Sequence, residues 1–116
     1  GDVTRVPNMR TQLVAARTVA EALADLAVQG PPAPGGPAPI SEIAGPRPED
    51  LVDAAKKLAA RRGDGSRVEG ASNPSDPDRD LYPAGALLPG PSATLAGPSF
   101  EQWLGSRDFE DWLASK

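Results

Sequence analysis

Three aspartates, Asp76, Asp78 and Asp80, stand at alternate positions in the stretch SDPDRD. That is the spacing of the first three ligands of a calcium loop, in which carboxylate oxygens wrap a hard cation. Such a loop then needs glycine at its sixth position and a bidentate glutamate at its twelfth. Leu81 and Leu87 occupy those places, so the stretch reads as a solvated acidic loop. Gly63-Asp64-Gly65, with Val68 at the sixth position, mimics the start of a dinucleotide-binding glycine turn. The third glycine is missing, and the segment follows a helical pattern where the phosphate cradle requires a strand. Tyr82 is the one tyrosine, and Ala86 lies four residues on, where a proton-transferring lysine would stand. Glu110 and Asp111 are adjacent on a helical pattern and point apart. The 116 residues contain neither histidine nor cysteine. The commonest general base and metal ligand is therefore missing, as are disulfides and thiolate metal sites. No residue qualifies as catalytic, metal-ligating or cofactor-binding.

Composition bounds the class of protein. The formal charge of −4 disfavours nucleic acid as a partner. No apolar run approaches the ~20 residues that span a bilayer, and no charged-then-apolar leader opens the chain, so membrane is not expected and the cytoplasm is the expected compartment. Leu, Ile, Val and Phe make only 22 of the 116 residues, near the level of about 20% below which chains tend to stay unfolded. Alanine supplies much of the remaining apolar content, and a methyl group buries little area. With 12 glycines and 14 prolines, long irregular segments are expected. Such a chain is expected to be stable only with a partner, or as a piece of something larger; its start at Gly1 rather than Met fits a fragment, a processed chain or a tag scar.

The elements follow from periodicity and punctuation. Residues 1–30 read as extended chain, a strand near Met9–Val14, and a helix opened by the Thr18-x-x-Glu21 capping box. Residues 31–39 are a Gly/Pro linker. Residues 40–69 form a strand–turn–helix unit, around which the chain is organised. Ile40 and Ile43 mark the strand, Pro48 the first helical position, and Glu49 and Asp50 the first turn. Leu51, Val52, Ala55, Leu58 and Ala59 make the apolar stripe, Asp53 precedes Lys57 by four, and Gly63 is placed to cap in the left-handed region. Arg67-Val68-Glu69 reads as a brief strand. Residues 70–98 are irregular. Residues 99–116 carry the aromatic helices, opened by a second capping box, Ser99-x-x-Gln102.

In that last segment FEQWL (Phe100–Leu104) is echoed nine residues later by FEDWL, with Phe109 and Trp112. At about 100° per residue, a continuous helix would turn the two clusters to opposite faces. Two short helices broken near Gly105 would let both dock. Phe100, Trp103, Phe109 and Trp112 are thus packing anchors or, failing that, partner anchors.

Four pieces in order carry a resemblance: PNMRTQLVAARTVAEAL (Pro7 to Leu23), SEIAGPRPEDLVDAAKKL (Ser41 to Leu58), GALLPG (Gly85 to Gly90) and FEQWL. Together they resemble the C-terminal half of atypical short-chain dehydrogenase/reductases, the NmrA-like, epimerase-like, NAD(P)H-binding group. The resemblance implies an α/β chain, the C-terminal part of a Rossmann-type NAD(P)-binding fold. It would hold two or three short strands, three or four helices and much coil, all one partial domain. It implies NAD(P)H as the cofactor of the parent protein, held by an upstream half and not by this chain alone. The family usually has Asp where Thr18 stands, and the stretch Gly70 to Asp80 and the second FEDWL are unlike its usual tail.

The function so implied is the substrate-side portion of an oxidoreductase or epimerase-like protein, inactive by itself. Met9, Gln12 and Tyr82 are the candidate substrate-lining residues. The partners implied are the missing N-terminal Rossmann half or a partner chain, a small-molecule substrate, and another copy of the chain as a homo-oligomer. Two other readings stand beside it: a non-catalytic dinucleotide-sensing regulator of the same fold, and a helical interaction module that uses the tandem aromatic helices.

Overall fold

A computed structural model describes residues 2–31, 35 and 41–116. The expected linker over 31–39, and Ile40 of the expected strand, lie largely outside the described residues. The protein is mixed α/β, with short strands and several helices.

The longest strands are β1 (Val3–Pro7) and β5 (Arg67–Ala71), five residues each. They pair in parallel, with Val3 opposite Arg67 and Pro7 opposite Ala71. The segment expected to be merely extended before Pro7 is thus one of the two longest strands, while the strand expected over Met9–Val14 shrinks to β2 (Arg10–Thr11). β-branched Val3, Thr4 and Val6 favour the pleated backbone. Parallel pairing requires a crossover, and α2 (Leu51–Arg62) provides it. Val52 and Ala54 of α2 are buried. Gly70 of β5 comes so near α2 that a Cβ there would stand 3.3 Å from the Val52 methyl.

Alternation along the strands sorts the two faces of this ladder. Thr4 and Val68 share a crevice with Ala55, Leu58 and Ala59 of α2. Arg5 and Pro7 belong to the other face, which α2 does not cover.

Two minor ladders brace the unit. β2 pairs antiparallel with β4 (Glu49–Asp50), and β3 (Ile43–Ala44) pairs in parallel with β6 (Thr94–Leu95). The pairing of β4 explains why Pro48 is not the first helical residue, as its type suggests. Glu49 and Asp50 are held extended against β2, and Asp50 becomes the N-cap of α2, its carboxylate accepting the Asp53 N–H at 3.1 Å. Gly63 closes the helix at φ 67°, ψ 23°, the left-handed geometry that glycine enters without steric cost.

Helix α1 (Ala16–Gln29) starts two residues ahead of Thr18, with extended Ala15 as a cap that makes no side-chain bond. The Thr18–Glu21 capping box is therefore not formed. Thr18 packs beside Gly97 instead, where a Cβ would stand 2.3 Å from its hydroxyl oxygen. No residue of α1 is buried, and Leu23 and Val28 are 61% and 88% exposed.

The aromatic segment divides as its repeat requires. α4 (Phe100–Leu104) and α5 (Arg107–Ala114) break at Gly105. Ser99 forms the full capping box with Gln102, and Ser106 caps α5 by accepting the Phe109 N–H. The elbow brings the rings together: Trp103 lies 5.3 Å from Phe109 and 6.1 Å from Trp112, and Phe100 stacks on Trp103 at 5.9 Å. Phe109 is fully buried. Arg61 of α2 reaches across to donate to the Leu104 carbonyl, pairs with Glu110 at 3.0 Å and covers the Phe109 ring at 5.1 Å. Lys57 pairs with Glu101 of α4 rather than with Asp53. Between these regions α3 (Leu81–Ala84) is a single turn.

The core is small. Among the described residues, Ala44, Val52, Ala54, Leu104 and Phe109 are the buried apolar ones. The accessible surface is 8094 Å², against about 6,000 Å² expected for a compact monomer of this mass. The radius of gyration is 17.2 Å, against roughly 13 Å for a compact domain of this length. The chain buries less of itself than a self-contained domain does.

Candidate functional site

Because β1 and β5 are parallel, their carboxyl ends open on the same side. The chain leaving β1 runs through Asn8 and Met9, and the chain leaving β5 through Ser72 and Asn73. Backbone bonds hold both exits: the Asn8 N–H donates to the Ala71 carbonyl at 2.9 Å, and the Leu51 N–H to the Met9 carbonyl at 3.0 Å. Asn8 also crosses over Gly70, where a Cβ would stand 2.3 Å from its side-chain oxygen. That close approach gives a glycine in the strand a structural reason.

The polar stretch after β5 folds on its own side chains. The Asn73 side-chain oxygen accepts the Ser75 N–H at 3.0 Å, and the Asp76 carboxylate accepts the Asp78 N–H at 2.8 Å. These are turns in which a short side chain mimics the backbone. Arg79 ties the loop together by donating to the Asp76 carbonyl at 3.1 Å and the Pro74 carbonyl at 3.5 Å. The loop delivers Tyr82, on α3, back toward Met9.

The result is a cleft of about 500 Å³. Pro7, Met9 and Ala71 supply apolar wall, and Arg5, Asn8, Ser72, Asn73, Asp76, Arg79 and Tyr82 supply polar groups. Met9 and Tyr82, two of the three residues expected to line a pocket, stand in this wall. Gln12 does not: its side-chain amide donates to the Gly45 carbonyl at 2.8 Å, a structural tie between the first unit and β3. Arg5, Asn8 and Arg79 were not legible as site residues. Their one sequence signal was position: Arg5 within a short strand, Asn8 directly after it, and Arg79 in the loop after another.

Tyr82 is not tuned for proton transfer. A hydrogen bond with the Asp76 carboxylate, and its negative charge, raise the phenol above its ordinary pKa. Near neutral pH Tyr82 stays protonated and acts as a donor. Asp76, far from being a free calcium ligand, is engaged by Tyr82 and by the Asp78 N–H. Among the described residues, no group of three or more acidic side chains is arranged to hold a metal ion.

The Gly63–Gly65 turn leads from α2 into β5, the reverse of the strand-to-helix order that aims backbone N–H groups at a pyrophosphate. The residues described do not form a dinucleotide cradle. The predicted anchors Phe100 and Trp103 border a second, smaller groove of about 200 Å³ with Leu13, Val14 and Pro98. No helix among the described residues is long and apolar enough to cross a membrane.

Compared with family models, with curated proteins and with solved structures, the chain matches none.

Proposed function

We propose that this chain is the substrate-side portion of an NAD(P)H-dependent oxidoreductase or epimerase-like protein, with the Rossmann-type dinucleotide half supplied by another segment or chain, in the cytoplasm. The observation that carries the reading is the position of the cleft. Small-molecule sites in parallel α/β sheets lie outside the carboxyl ends of the strands, and this cleft lies at the carboxyl ends of β1 and β5. Its mixture of apolar wall and convergent polar groups is what a small ligand requires.

The need for a second half is supported by the sheet. Parallel strands are normally covered on both faces, whereas β1 and β5 form a two-stranded ladder with α2 against one face. The excess surface and the exposed apolar side chains of α1 point the same way. The cleft contributes binding and orientation: the Tyr82 ring, held by the hydrogen bond of its hydroxyl to Asp76, and Met9 and Pro7 supply wall, and the asparagines offer amide groups. Hydride chemistry belongs to the cofactor, which the described residues by themselves do not fit.

Titration with NAD(P)H tests the assignment. The chain alone is expected to show no tight binding, and the chain together with its dinucleotide-binding half to bind. Tight binding by the chain alone overturns the reading. The same assembly, assayed on carbonyl and quinone compounds, separates an enzyme from a dinucleotide-sensing regulator.

A further inference from the structure

We propose that the cleft at the carboxyl ends of β1 and β5 takes a small organic anion, its carboxylate or phosphate group bound by Arg5 and Arg79 and its apolar body lying against Pro7, Met9 and the Tyr82 ring. This rests on the cleft being the ligand site and names the chemistry of what enters it.

The charge arrangement carries the inference. The chain is acidic overall, at −4, yet the cleft is lined by two arginines and one carboxylate. Arg17, Arg47, Arg61, Arg62 and Arg67 each pair with a carboxylate within 4 Å. Among the described residues Arg5, Arg10, Arg79 and Arg107 make no such pair, and of these Arg5 and Arg79 line the cleft. Glu69, opposite Arg5 in the ladder, is engaged by Arg67 at 2.7 Å. Asp76 is turned to the Asp78 N–H at 2.8 Å.

Geometry favours an oxyanion over a neutral ligand. One terminal nitrogen of Arg79 is fixed on the Asp76 and Pro74 carbonyls, which orients the guanidinium and leaves its other edge as donors. A planar fork of that kind matches carboxylate and phosphate oxygens bidentately, as a lysine cannot. The Asn73 oxygen is already occupied by the Ser75 N–H, so its amide hydrogens remain for an acceptor. The free edge of Arg79 and the Asn73 amide hydrogens are donors, which suits a ligand rich in acceptors.

The test is an NMR titration of the isotope-labelled chain with benzoate, phenyl phosphate, inorganic phosphate and neutral benzamide, with affinities from calorimetry. Benzoate or phenyl phosphate is expected to shift the Asn8 and Asn73 side-chain signals saturably, and benzamide to bind at least tenfold more weakly. Arg5→Gln is expected to lose about tenfold or more, the loss of a charged hydrogen bond. Arg79→Lys, which keeps the charge and relaxes the loop less than Arg79→Gln, is expected to fall between wild type and Arg5→Gln. Equal binding of benzamide, or an unchanged Arg5→Gln, overturns the anion assignment and leaves the cleft as a ligand site. Inorganic phosphate matching phenyl phosphate overturns the role of the apolar wall. No shift at the cleft with any of the four overturns both this inference and the placement of the ligand site.

Discussion

Gln12 and Gly45 bind each other twice. The Gly45 N–H donates to the Gln12 carbonyl at 3.2 Å, and the Gln12 side chain donates to the Gly45 carbonyl at 2.8 Å. The crossing is so close that a Cβ on Gly45 would stand 1.6 Å from the Leu13 carbonyl oxygen. Backbone cannot yield by such an amount without undoing the crossing. Gly45→Ala is expected to prevent folding or to destabilise by more than about 3 kcal/mol, beyond ordinary overpacking. Gln12→Ala, which removes one half-buried bond, is expected to cost about 1 kcal/mol. Urea unfolding of the two variants checks the ranking.

Gly70→Ala tests how the cleft is built. The added methyl would meet the Asn8 side-chain oxygen at 2.3 Å, a flexible group that can swing away. A stability loss of about 1–2 kcal/mol is expected, with a displaced Asn8 side-chain amide signal by NMR. An unmoved Asn8 signal would contradict the close approach.

Phe109→Ala separates core from docking surface in the aromatic helices. Phe109 is fully buried beneath Trp103, Trp112 and the Arg61 guanidinium. Truncating a buried phenylalanine costs about 3–5 kcal/mol, enough to unfold so small a core. A red shift of tryptophan fluorescence with loss of helical dichroism is the expected readout. Intact helices, with only the capture of another protein lost, would favour the interaction-module reading instead.

The Arg17–Asp108 pair makes stability depend on pH. Arg17 grips both carboxylate oxygens, at 2.6 and 2.7 Å, and joins α1 to α5. The hydrogen bond and charge of Arg17 hold Asp108 below the usual carboxylate range. A carboxyl depressed in the folded state stabilises above its unfolded pKa, near 4, and that contribution is lost as pH falls through the folded value. Glu101, depressed by Lys57 and Arg47, acts in the same direction. The melting-temperature gap between wild type and Arg17→Gln is expected to close on acidification below that range. A gap that persists there would contradict the pair.

Tyr82, the single tyrosine, reports its own environment. Asp76 raises the phenol, so its alkaline absorbance change is expected above the usual value of about 10. Asp76→Asn is expected to bring it down. The same transition in both proteins would place Asp76 away from the hydroxyl.

The local elements were legible in the residues because their causes are local. The body of α2 and its glycine cap, the Ser99 capping box and the break at Gly105 follow from periodicity, capping chemistry and a repeat offset that a continuous helix cannot satisfy. Where another segment intervened, local reading failed. Thr18 lost its cap to an earlier helix start and a seat beside Gly97, Pro48 lost the first helical position to the pairing of β4 with β2, and Lys57 chose Glu101 over Asp53. Val3–Pro7 became a strand because β5, sixty residues away, supplied the hydrogen bonds that a strand lacks alone. The cleft belongs wholly to that long-range pairing. Met9 and Tyr82 could be named as pocket residues by type, but only the parallel register of β1 and β5, and a loop folded on its own asparagine and aspartate, sets them beside Arg5 and Arg79. A sequence records which groups are available; contacts across the chain decide which of them face one another.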